Sequence, residues 1–185
     1  MLPLPRILLA SLLAAQLSAV PADQAELANE MAAAAETLLE SLSEAKREAA
    51  MMPFDDEERA NFHYVPLDRK GALYKEMTAE QRANSLRLLH TALSDDGSRQ
   101  AVSIMALESV LAEIEGRPNF RDPERYWIAI FGTPGELPWG WRFEGHHLSV
   151  NQTITDEGLS GTPLFMGANP AEVPDGMFKG QRVLG

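Results

Sequence analysis

Trp139-Gly140-Trp141-Arg142-Phe143-Glu144-Gly145-His146-His147-Leu148-Ser149 carries both the strand pattern and the richest chemistry of the chain. Side chains alternate between the two faces of a strand, so apolar residues two apart mark one face. Before Gly145 the apolar set is odd-numbered: Trp139, Trp141 and Phe143. From His146 onward the even positions His146, Leu148, Val150 and Ile154 are mostly apolar, while His147, Ser149, Asn151, Thr153 and Thr155 are polar. The phase flips at Gly145. A β-bulge or a sharp bend there is the expected cause, because glycine tolerates the backbone angles that bulges require. Trp139 to Phe143 and His147 to Thr155 are thus two strand candidates. A third is Tyr126-Trp127-Ile128-Ala129-Ile130-Phe131, rich in β-formers and bounded by Pro123 and Gly132.

Upstream of these strands the period is helical. Leu27, Met31, Ala35, Leu38, Leu42, Ala45 and Ala49 recur at three-and-four spacing, which predicts one amphipathic helix over 23–52, ending at Met52-Pro53. Phe54 to Gly71 reads as a short helical turn followed by an extended segment. Thr78-Ala79-Glu80-Gln81 is a capping box that opens a helix running to about Leu93. Asp95-Asp96-Gly97 is expected to break it. A further helix follows, with Val102, Met105, Leu107, Val110, Leu111 and Ile114 as its apolar stripe and Gly116-Arg117-Pro118 as its stop. Helices followed by strands predict an α+β fold, N-terminal helices and then a mainly antiparallel sheet.

The N-terminus predicts export. Met1 to Arg6 carries one positive charge and no acid, and Ile7 to Val20 is a mainly apolar run of 14 residues before Pro21 and Asp23. That is the n-region and h-region of a cleavable signal peptide over residues 1–22, too short for the roughly 20 apolar residues of a membrane span. A periplasmic or extracellular location follows, with no membrane anchor after cleavage. The chain has no cysteine, which excludes a disulfide framework and an acylated-cysteine anchor. Without Arg6, 15 basic side chains stand against 27 acidic ones, a net charge near −12. Nucleic acid and anionic lipid are poor partners for such a surface.

Adjacent histidines on a regular strand face opposite ways, so His146 and His147 bind one metal ion only if the bend turns them together. His147, on the polar face with Ser149 and Asn151, is the candidate ligand or general acid/base. His146 reads as its metal partner or as a hydrogen-bonded core histidine. Glu144 is placed to orient either imidazole, and His147, Ser149 and Glu144 make up the candidate catalytic set. A divalent transition metal is the candidate cofactor, although two histidines without a spaced third ligand leave the set short. Trp139, Trp141 and Phe143 read as core, with a sugar-stacking platform as the alternative. His63 and His90 stand alone and read as structural. No G-x-S-x-G, glycine-rich phosphate loop or H-E-x-x-H is present. Asn151-Gln152-Thr153 fits a glycosylation acceptor.

W-G-W-R-F-E-G-H-H-L-S, with Gly132-Thr133-Pro134 before it and a segment from Pro163 to Ala171 after it, resembles the family called domain of unknown function 3500. The resemblance extends over residues 54–185 through Phe54, Arg59, Tyr64, Pro66, Gly71, Met77-Thr78, Gln81-Arg82, Leu93-Ser94, Tyr126 and Phe131. It implies an exported, mostly bacterial, uncharacterised protein. It also implies that members continue past a segment like 180–185 into another helical and strand region with further histidines in an H-x-H pattern. The chain is then expected to be the first part of a larger domain, truncated at its C-terminal end, with any metal site completed downstream.

Overall fold

The computed structural model describes residues 21–185; the expected signal peptide lies almost wholly outside the described residues. Helices α1 (Ala22–Ser41), α2 (Glu44–Ala50), α3 (Ala79–Thr91) and α4 (Asp95–Glu115) precede five of seven strands. These are β1 (Met51–Met52), β2 (Ala72–Leu73), β3 (Tyr126–Phe131), β4 (Trp139–Gly145), β5 (Leu148–Thr155), β6 (Gly158–Ser160) and β7 (Leu164–Met166). The fold is α+β. The strand order is β1-β3-β4-β5-β6, with β2 also on β3 and β7 also on β5. Every pairing is antiparallel except that of β1 with β3.

The single helix expected over 23–52 is two. Leu42 turns to an extended backbone, and Ser43 stands before α2. The last carbonyls of α1 are orphaned at such a break. The Leu39 carbonyl is met twice, by the Leu42 N–H at 3.3 Å and by Arg47 Nε at 3.1 Å. The capping box is present in full: Gln81 N–H donates to Thr78 Oγ1, and the Thr78 N–H donates to Gln81 Oε1. Asp95-Asp96-Gly97 does not separate two helices but lies in the first turn of α4. Ser94 caps that turn by accepting from the Gly97 N–H at 3.1 Å, and the two aspartates sit at the positive pole of the helix. The stripe of α4 is also rotated from the expected one. Ala101, Ile104, Met105, Leu107, Glu108 and Leu111 face inward, whereas Val102 and Ile114 are exposed.

The sheet is buried on both faces. Toward the helices it presents Tyr126, Ile128 and Ile130 from β3, Trp139, Trp141 and Phe143 from β4, and Leu148, Val150 and Ile154 from β5. These meet Met31, Ala35 and Leu38 of α1, Leu88 and Leu89 of α3, and Ile104 and Met105 of α4. The aromatic triplet of β4 is therefore core and no stacking platform. The opposite face carries Trp127, Phe131, Arg142, Glu144, Ser149 and Asn151, all buried. It lies beneath residues 53–70, which hold one 3-10 turn at Glu57–Ala60.

The phase flip has a different cause from a bulge. Gly145 pairs directly with Leu148, so His146 and His147 form a two-residue hairpin turn and the alternation restarts on a new strand. Gly145 is required for another reason: a Cβ there would run into the Tyr126 ring. Among the described residues, no helix is long and apolar enough to cross a membrane.

Candidate functional site

The turn does what a straight strand cannot. His147 adopts a left-handed backbone, φ 58°, a conformation uncommon outside glycine. The two imidazoles consequently lie on the same side, ring centroids 4.2 Å apart and planes inclined by 59°. Each is held differently. His146 is buried and its Nδ1 meets the Glu108 carboxylate of α4. Arg121 Nη1 approaches the same nitrogen at 3.3 Å. One ring nitrogen cannot donate and accept at once, so the carboxylate contact requires a proton on Nδ1. Arg121 is in any case engaged by both oxygens of Glu115, at 2.8 and 2.9 Å. Its guanidinium in turn keeps the Glu115 carboxyl below the usual carboxylate range. The Tyr126 hydroxyl donates to the His146 carbonyl at 2.8 Å, and burial keeps that phenol protonated by raising its pKa.

His147 is tied through its backbone. Its N–H donates to the Tyr64 carbonyl at 2.9 Å, and its carbonyl accepts from the Gly167 N–H at 2.8 Å. Its Nδ1 is buried with no hydrogen-bond partner among the described residues. Desolvation, then the neighbouring His146 and Arg121, lowers its pKa from the ordinary histidine value, while Glu108 and the Gly167 backbone act in the opposite sense. The imidazole is therefore neutral at pH 7. Phe165 lies edge-on to the ring at 6.1 Å and stacks on Tyr64 at 4.7 Å.

Glu144 and Ser149 are not brought to the imidazoles. They are cross-strand partners on the face away from the helices, where Ser149 Oγ donates to Glu144 Oε2 at 2.6 Å. Glu144 also accepts from Arg69 Nε at 2.6 Å, and Asn151 Nδ2 donates to Ser149 Oγ at 3.0 Å and to the Pro163 carbonyl at 2.8 Å. The amide of the expected glycosylation acceptor is thus committed inside the fold. Arg142 continues the network, its Nη2 donating to Glu58 Oε1 at 2.6 Å and its Nη1 to the Glu58 and Asn61 carbonyls. His63 and His90 are exposed and their imidazoles join neither cluster, although the His63 carbonyl accepts from Arg69 Nη2 at 2.8 Å. The role expected of Glu144, orienting an imidazole, falls to Glu108. A trace of this is visible in the sequence: Glu108 is the one acid within the apolar stripe of α4.

Two imidazoles and one carboxylate are a minimal ligand set. Among the described residues, no group of three or more His, Cys, Asp or Glu side chains is disposed to hold a metal ion. With Nδ1 of His146 committed to Glu108, the arrangement suits proton transfer better than ligation. Comparison with curated proteins and with solved structures gave no match. The family model described as "Protein of unknown function (DUF3500)" matches residues 24–185, taking in the N-terminal helices as well as the sheet, and the chain belongs to that family.

Proposed function

We propose that the protein is exported and that its β4–β5 turn is a histidine acid/base site of hydrolytic type. His147 is the proton-transfer group; His146 and Glu108 position it. The observation that carries this reading is the His147 imidazole itself, kept neutral by burial and held at a left-handed backbone against a carboxylate-bound histidine. Strained backbone of this kind persists where the surroundings over-determine it, and it clusters at functional sites.

The test is hydrolysis of p-nitrophenyl acetate by the full chain and by His147→Asn, since asparagine accepts the left-handed backbone but cannot act as a base. The expected loss is on the order of 100-fold. A base must be neutral to act. Because burial lowers the His147 pKa, the rate should hold down to about pH 6.5 and decline only as the pH falls further. An unchanged rate in His147→Asn would leave the noncatalytic reading, in which the Glu108 and Tyr126 contacts serve only to fasten the hairpin to α4.

Export rests on Arg6 and the apolar run from Ile7 to Val20. Produced with its own leader, the protein should appear outside the cytoplasm shortened by about 19 to 22 residues. Intact-mass measurement reads this directly, and a membrane-bound product that keeps Met1 would refute it.

A further inference from the structure

We propose that residues 53–71 form a hinged lid, latched by buried guanidinium groups, whose opening uncovers His147. Its gating role rests on the acid/base reading of that residue. The ends of the segment are fixed side by side. β1 pairs with Ile130 and Phe131, β2 with Trp127 and Ile128, so the chain leaves β3 opposite Phe131 and returns opposite Ile128, three residues away. Such a loop, with neighbouring ends and its own internal contacts, can move as a unit. Gly71 pins the returning end: its φ is 132°, and a Cβ would come within 2.5 Å of the Ile128 carbonyl oxygen.

What lies between is held by charge. From 53 to 70 the only residue buried as a whole is Glu58. The Arg69 side chain is also sunk into the protein, 2% exposed, while Phe54, Phe62 and Pro66 are half-buried. Tyr64, Val65 and Leu67 are exposed. Arg69 binds the lid to itself and to the sheet, donating to the carbonyls of His63, Val65, Leu67 and Gly145 and to the Glu144 carboxylate. Arg142 reaches up from β4 to the Glu58 carboxylate and to two lid carbonyls. Lifting an apolar cover exposes hydrocarbon to water. Lifting this one bares Trp127 and Phe131 but also hydrates Arg69, Arg142, Glu58 and Glu144, ions whose burial is expensive to begin with. A segment with few buried apolar contacts belongs to the low-stability end of a fold, which opens without global unfolding.

The lid also touches the turn. The Tyr64 carbonyl accepts the His147 N–H, and the Tyr64 ring stacks on Phe165, which abuts the His147 imidazole. Opening therefore frees the His147 amide and withdraws the Tyr64 ring from Phe165, which stays with β7 beside the imidazole. The lid is thus the route by which solvent reaches the His147 backbone and the outer face of Phe165, the ring that flanks the imidazole.

Amide hydrogen exchange on the full chain, resolved by residue, tests this without any substrate, so its outcome is independent of whether the site is catalytic. In the wild type, the His147 and Leu67 amides should exchange together and at least about tenfold faster than the amides of the β4–β5 ladder. Arg69→Gln should accelerate both by a further factor of about ten and leave the ladder unchanged. Exchange of His147 only in step with the ladder would overturn the lid, and this wild-type comparison decides even if the variant fails to fold. No acceleration in a folded Arg69→Gln protein, or an equal acceleration of the ladder, would overturn the latch.

Discussion

Arg142→Ala is expected to lower the unfolding free energy by about 3–5 kcal/mol, the range for breaking a buried pair from one side. Arg142 is 1% exposed and Glu58 6% exposed. Alanine would leave Glu58 Oε1 and the Asn61 carbonyl without the donors Arg142 supplies, with only Asn61 still bonded to Glu58 Oε2 and to the Glu58 carbonyl, and a buried group left unpaired bears its full desolvation penalty. The Arg142 guanidinium also lies 5.7 Å from the centre of the Phe131 ring, so packing is lost together with charge. The control is the double replacement Arg142→Met with Glu58→Met, which removes both charges at similar length. It should recover much of the loss, because an apolar pair can stand in for a buried ionic one. Urea unfolding of the two variants decides: a loss below about 1 kcal/mol in Arg142→Ala would mean that water reaches the pair and that the network is not closed.

Phe143→Ala should be comparably severe, about 3–5 kcal/mol, by loss of transfer energy and creation of a cavity. Phe143 is fully buried, stacks on Tyr126 at a centroid distance of 5.5 Å and meets the edge of Tyr74 at 6.1 Å. Its cross-strand neighbours are Ile128 and Val150. The cavity would open beneath Tyr126, whose hydroxyl holds the His146 carbonyl, so damage to the core should propagate to the histidine turn. Phe143→Leu preserves most of the volume and should cost less than about 1.5 kcal/mol. Thermal unfolding of the pair tests the claim, and equal losses in the two variants would show that the aromatic contacts contribute nothing beyond bulk.

Much of the architecture was legible because it depends on neighbours along the chain. The capping box, the left-handed Gly116 that stops α4 and the period-two strands are local patterns, and each appears where its residues place it. Two helix boundaries differ from the periodic expectation for a common reason: a serine cap and an arginine reaching back eight residues satisfy the helix ends there, and neither disturbs the apolar period. The phase flip near Gly145 was visible, but period alone does not distinguish one bent strand from two strands joined by a turn.

Sequence by itself determined the α+β order, the inward set of β4 aromatics, the family, and the pairing of interest at His146-His147. Tertiary structure alone decided which carboxylate serves the histidines and what covers the second face of the sheet. Glu108 and His146 are 38 residues apart, and Arg142 and Glu58 are 84 apart. Position in the apolar stripe of α4 marks Glu108 as a charge facing inward, but contacts at such separation leave no trace of the partner in the sequence, and only the fold that removes a charge from water reveals what it meets.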